Sequence, residues 1–182
     1  SDEILAFSFR AFCGEGKPLA YADITYGFYK SQVALFGLES KVIPLREDFT
    51  LCVDDYMGFP GTIVIAHPNA PTGIALPSAA IEEILQHNPE SLVVVDEAYV
   101  DFGGETVLPL LKKYENLIVV QTFSKSRAMA GERIGFAIGS VELIKALHDV
   151  KYSFNSYTMN RSALAAGTAA VQNAAYLQEI TA

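Results

Sequence analysis

Residues 62–66, 92–95, 117–121 and 134–138 are short runs in which apolar residues follow one another directly instead of alternating with polar ones. Successive side chains of a strand point to opposite faces, so such a run is stable only where both faces are covered. Between the runs lie segments with apolar residues at helical spacing. Tyr29, Val33 and Phe36 mark one over 26–37, Ile81, Ile84 and Leu85 a second after Pro77, and Leu143, Ile144 and Leu147 a third after Ser140. This alternation predicts an α/β fold, a mostly parallel sheet with helices on both sides. Residues 17–22 and 41–45 read as two more strands, and 53–57 as a short helix. Ser1 is suited to cap a helix running to near Gly14, with Asp2 and Glu3 at its positive end. Residues 159–178 read as one Ala-rich helix with Arg161 as its only charge. It should pack closely against something, which could be a part of the protein outside this chain.

With 182 residues, 51% of them hydrophobic, there is material for one domain with a full core. No apolar run approaches the ~20 residues that span a bilayer. Twenty-one acidic against 13 basic residues leave a net charge of −8, which argues against nucleic acid or an anionic membrane as partner. An anionic ligand would need local donors. Cys13 and Cys52 stand far apart, a pattern for neither a disulfide framework nor a zinc site. With no basic, apolar leader in sight, a reduced cytoplasmic setting is expected. His67, His87 and His148 lack ligand spacing, so no metal is expected. The stretch from Gly14 to Pro18 fails as a nucleotide loop, because Ala11 and Pro18 occupy positions that require Gly and Ser or Thr.

Polar residues gather where the apolar runs stop. Asp96 follows 92–95 directly, with Tyr99 three residues later. Thr122, Ser124 and Lys125 follow 117–121, and Arg133 lies eight positions beyond Lys125. Asn69 sits in a rigid Pro-Asn-Ala-Pro-Thr-Gly turn after 62–66, and Tyr26 at a strand-to-helix junction. Each has a plain reading alone: Asp96 as a turn acid, Lys125 as a surface lysine, Tyr26 and Tyr99 as packing tyrosines. Together they offer an acid for a ring nitrogen, an aromatic face for stacking, an amine that burial and a cationic neighbour could activate, and hydroxyls with Arg133 for a phosphate.

In Ser1-Asp2-Glu3, Thr25 to Tyr29, Pro68 to Gly73, Asp96 to Phe102, Ser124-Lys125 and Ala130 to Arg133 the chain resembles the fold-type I pyridoxal phosphate-dependent aminotransferases, and among them the histidinol-phosphate aminotransferase family. The resemblance runs from Ser1 to about Asn173. It implies a three-layer α/β/α domain, mostly parallel with one antiparallel strand, and a homodimer binding pyridoxal phosphate. By resemblance, Lys125 bonds the cofactor and moves the substrate α-proton, Asp96 pairs with the pyridine nitrogen, Tyr99 with the phenolic oxygen, and Tyr26 stacks on the ring. Thr122, Ser124, Arg133 and the backbone N–H groups of Ser1 and Asp2 hold the phosphate. The implied substrate is an amino acid or amino alcohol phosphate, and the implied reaction moves the amino group of L-histidinol phosphate to 2-oxoglutarate.

Two departures from the family pattern bear on this. Where the family usually has Asn-Asn-Pro-Thr-Gly, this chain has Asn69-Ala70-Pro71-Thr72-Gly73. Either Asn69 reaches in for the phenolic oxygen or Tyr99 carries that contact alone, and Asn69 is the expectation. The chain also corresponds to about half a family member: 1–158 as the cofactor-binding domain without its first strand, and 159–182 as a helix leading to a small domain. That would leave 134–138 as an exposed sheet edge. An aromatic aminotransferase, an amino-acid phosphate decarboxylase and a noncatalytic folded piece are the competing readings.

Overall fold

The apolar runs pair in register at the centre of one sheet. In the computed structural model, which describes residues 1–181, the elements in chain order are α1 (Asp2–Phe12), β1 (Leu19–Ala22), α2 (Phe28–Phe36), β2 (Ser40–Ile43), β3 (Thr62–Ala66), α3 (Ser78–His87), β4 (Leu92–Asp96), β5 (Leu117–Thr122), β6 (Gly135–Gly139), α4 (Val141–Phe154), α5 (Arg161–Gln172) and α6 (Ala174–Thr181). Short 3-10 turns cover Val53–Tyr56, Val100–Phe102, Leu108–Lys112 and Ala130–Glu132. The strand order is β2-β1-β3-β4-β5-β6, parallel throughout except for the antiparallel β5–β6 pair.

Alternation along the strands divides the core in two. Ile63, Ile65, Val93, Val95, Leu117 and Val119 pack with α3 and the turns at Val53–Tyr56 and Leu108–Lys112. Val64, Leu92, Val94, Ile118 and Val120 pack with Leu5 and Phe9 of α1, Tyr29 of α2 and Leu147 of α4. The result is the expected three layers. Val93, Val94 and Val95 are all fully buried, and each such side chain contributes about 1.5–3 kcal/mol relative to exposure. β4 is therefore buried along its whole length, and the residue that closes it is held rigidly. β6 forms one edge of the sheet, with Ile138 exposed, as expected for 134–138.

Three local expectations are corrected. Ser1 takes the N-cap position of α1, yet its side chain makes no capping bond; its carbonyl accepts from the Leu5 N–H instead. Pro77 is the N-cap of α3, not part of its first turn. Residues 159–178 do not form one helix, because Asn173 leaves helical geometry and its side-chain oxygen accepts from the Tyr176 N–H at 3.2 Å. Asn competes with the helix ladder in this way and starts α6 as a separate segment. Of the close packing expected of this region, one face of α5 shows it inside the chain, where Ala163 and Gly167 meet Phe123 and Ile134, while Leu164, Val171 and Tyr176 are exposed.

β3 joins β1 through a close approach at Gly61. The Thr62 N–H donates to the Pro18 carbonyl at 2.9 Å, and a Cβ on Gly61 would collide with that same oxygen. Backbone atoms cannot yield cheaply there. Gly61→Ala is expected to destabilise the fold by about 2 kcal/mol or more, read as a lower urea midpoint with an unchanged denaturant slope. An unchanged midpoint would show that the β1–β3 junction is not close-packed.

Candidate active site

β1, β3, β4 and β5 end on one rim of the sheet, and β1 is paired on both sides, so the winding direction reverses there. That reversal opens a crevice at the strand ends. β6 runs the other way and meets the rim with its beginning: Thr122 is opposite Gly135, which places Arg133 beside the end of β5. Arg133 thus arrives through the start of an antiparallel strand, not a strand end. A cavity of about 150 Å³ occupies the crevice, and it brings together every residue named from the sequence except Asn69.

Asp96 closes β4 and is 4% exposed. The Tyr29 hydroxyl donates to its Oδ2 at 2.8 Å, and the Ala98 N–H donates to Oδ1 at 3.2 Å. Burial pushes the carboxyl up from 3.8 to about 6, against the pull of those two donors toward the charged form. Tyr29 is the residue that sequence reasoning assigned only to packing. It is fully buried on the core face of α2, where helical spacing alone reads it as a hydrophobe. Its one available signal was a hydroxyl at a position that otherwise calls for Leu or Phe, because a buried phenol needs a partner.

Tyr26 stands across the cavity, half-exposed, its ring held edge-on against Tyr29 at 5.8 Å between centroids. Its hydroxyl donates to Asp2 Oδ1 at 3.1 Å, and its pKa is pushed up to about 12 by loss of solvent and by the Asp2 carboxylate. At the other end, the Ser124 N–H and Thr122 Oγ1 are 3.2 Å apart, and Thr122 Oγ1 is 3.1 Å from Ser124 Oγ. Arg133 adds an exposed guanidinium that donates to the Ala130 carbonyl at 2.9 Å. Its backbone is left-handed (φ 55°), a conformation costing about 1–3 kcal/mol in a non-glycine residue and one that gathers at functional sites. The N-terminus of α1 closes this side. A Cβ on Gly135 would stand 2.8 Å from Ser1 N, so only glycine lets the helix start so near β6. Hydroxyls, a guanidinium and a helix N-terminus make an anion site in an otherwise acidic chain.

Two expectations fail on the geometry. Asn69 does not reach the cavity: its Nδ2 donates to the Ile24 carbonyl at 2.9 Å and to Thr72 Oγ1 at 3.1 Å, and its Oδ1 accepts from Thr25 Oγ1 at 2.7 Å. Two of these bonds, to Ile24 and Thr25, fasten it to the loop after β1, the third lies within its own turn, and Ala70 lines the cavity in its place. Lys125 is exposed, not buried, with Nζ 5.0 Å from the Tyr99 ring centroid. The burial expected to activate its amine is not found. Among the described residues no group of three or more His, Cys, Asp or Glu could hold a metal, and no helix is long and apolar enough to cross a membrane.

The family model for aminotransferase class I and II matches residues 1–182. The chain belongs to the class I and II aminotransferases. It is 54% identical to a histidinol-phosphate aminotransferase of Marinomonas sp. (strain MWYL1), over 99% of this chain and 51% of that protein. To the histidinol-phosphate aminotransferase of Brachyspira hyodysenteriae it is 50% identical, over 98% and 51% respectively. The chain therefore spans about half the length of the curated relatives it matches. Among solved structures it superposes on the Sinorhizobium meliloti histidinol-phosphate aminotransferase in complex with pyridoxal-5'-phosphate with a TM-score of 0.83 at 26% identity, covering 99% of this chain and 50% of that one. The Clostridium acetobutylicum histidinol-phosphate aminotransferase shares the fold, with a TM-score of 0.86 at 20% identity over 99% and 55% of the two chains.

The raised Asp96 pKa ties stability to pH. The folded state keeps its proton up to about 6 while the unfolded chain releases it near 3.8, so Asp96 stabilises the fold below the lower value and that contribution is lost as pH rises through the upper one. The separation corresponds to on the order of 3 kcal/mol. Asp96→Asn, a neutral mimic, should raise Tm relative to wild type at about pH 8, with the gap closing toward about pH 4. A gap that does not vary with pH would contradict the assignment.

Proposed function

We propose that this chain carries the pyridoxal phosphate-binding part of a homodimeric cytoplasmic aminotransferase that acts on L-histidinol phosphate with 2-oxoglutarate as amino acceptor. The observation that carries the reading is the buried Asp96 carboxylate, held by Tyr29 and aimed into a cavity that also holds Lys125 and an anion site. The donor set fits that cofactor: an acid for a pyridine N–H, an aromatic ring for the planar face, an amine for the aldehyde, and hydroxyls with a guanidinium for the phosphate. The names of the relatives at 54% and 50% identity support the substrate. Residues 1–158 make up the cofactor-binding domain, and 159–182 lead out of it.

When bound, pyridoxal phosphate supplies an electron sink for the pair of electrons released at the substrate α-carbon. The chain's own residues set that chemistry up. Asp96, ionised above about pH 6, would hold a proton on the pyridine nitrogen through a charge-assisted hydrogen bond. Tyr29 keeps its carboxylate in one orientation. Lys125 Nζ is the amine that would hold the cofactor's aldehyde group, and it would carry the substrate α-proton. Tyr99 would donate to the phenolic oxygen with no other side chain beside it, since Ala70 has no polar side-chain atom and Asn69 is turned away. Tyr26 would exclude water from one ring face, and Thr122, Ser124, Arg133 and the start of α1 would anchor the phosphate.

Incubation with pyridoxal phosphate followed by borohydride should add the cofactor's reduced mass to the peptide containing Lys125, and Lys125→Ala should abolish the addition. Equal labelling of the variant would remove Lys125 from this role. Transfer of the amino group from histidinol phosphate, against phenylalanine as competitor, tests the substrate.

A further inference from the structure

Lys125 and Tyr99 belong to loops after different strands, and among the described residues no hydrogen bond fixes the Lys125 amine. Its contact with the Tyr99 ring is a cation–π approach at an exposed site, too weak to hold a four-carbon stem in place. The separation of the two groups must be set by the loops themselves. One side-chain bond crosses between these loops next to both residues. Ser126, adjacent to Lys125 and 2% exposed, donates its hydroxyl to the carboxylate of Asp101, two positions after Tyr99.

Each end of this bond sits on a turn that leaves little freedom. Asp101 is in the Val100–Phe102 turn, closed by the Phe102 N–H on the Tyr99 carbonyl at 3.0 Å and the Gly104 N–H on the Val100 carbonyl at 2.9 Å. Ser126 is in a turn closed by the Ala128 N–H on the Lys125 carbonyl at 2.9 Å and the Met129 N–H on the Phe123 carbonyl at 3.0 Å. A bond between two rigid turns transmits position: moving Asp101 away from Ser126 moves Tyr99 away from Lys125. A buried hydroxyl also loses heavily if its partner is removed, which favours one register of the two loops over its neighbours.

We propose that Asp101 and Ser126 form a positioning pair that sets the distance between Lys125 and Tyr99. The functional weight of the pair rests on Lys125 being the residue that bonds the cofactor, whereas its geometry does not. Neither residue touches the cavity.

The test reads that geometry in the cofactor-free protein. Lysines are reductively methylated with 13C, which keeps their charge, and the Lys125 methyl signal is assigned by its loss in Lys125→Arg. Its position beside the Tyr99 ring should displace that signal by ring current, and Tyr99→Leu should remove the displacement. Asp101→Ala and Ser126→Ala should each remove most of it, and the double variant should remove no more than either alone, because the two act as one unit. Asp101→Asn retains an accepting oxygen and should keep the displacement. In unmethylated protein, the rate at which borohydride-trappable cofactor accumulates should fall about tenfold or more in the two alanine variants. A displacement that survives in folded Asp101→Ala and Ser126→Ala proteins overturns the proposal. If Asp101→Ala does not fold, Asp101→Ser, whose oxygen is too short to reach, decides in its place. A wild-type protein that shows the displacement yet is never labelled by borohydride would defeat the functional reading of Lys125 and leave the tether standing.

Discussion

A carboxylate at the end of a fully buried strand needs a donor, and Tyr29 supplies it from the helical layer. That single bond spans 67 positions of sequence and fastens α2 to the tip of β4. Around it the rest of the crevice is built. Tyr26 stands edge-on against Tyr29, so the helix that satisfies Asp96 also presents the aromatic wall. The valines of β4, buried on both faces, hold the acid where solvent is scarce, which is why its pKa rises to about 6 despite two donors. A carboxyl kept out of water at some expense to stability is what a site awaiting a basic ring nitrogen should contain.

The anion end is assembled by a different device. A parallel sheet brings only strand ends to one rim, but the antiparallel β6 adds a strand start, and with it Arg133. Left-handed backbone at Arg133 and the close approach allowed at Gly135 bring a guanidinium and a helix N-terminus to the same spot. Local donors thereby create a site for phosphate in a chain whose net charge of −8 would repel it from a distance.

Much of this was legible in the sequence, for physical reasons. A strand apolar on both faces must be central, so Asp96 after four such residues had to lie at a buried rim. The packing of α5 was likewise implied by its small residues. Tyr29 was hidden because helical spacing reports which face is buried and says nothing about what a buried hydroxyl meets. Asn69 was misplaced because the choice between it and Ala70 is made by Thr25 and Ile24, more than 40 positions away. The exposure of Lys125 depends on what covers the loop after β5, and no local pattern encodes that. The direction of β6 came from family resemblance alone, since an apolar run reads the same in either direction. Asn173 shows the reverse case: a local hydrogen bond overrode an Ala-rich pattern that pointed to one continuous helix.

The central claim is that Asp96 is a buried carboxylate poised by Tyr29, and 13C NMR of its side-chain carboxyl across a pH titration tests it most directly. In the wild-type protein the signal should titrate near 6. In Tyr29→Phe, which removes a donor that favours the charged form, it should titrate higher still. A carboxyl that titrates near 3.8 in both proteins would contradict the account.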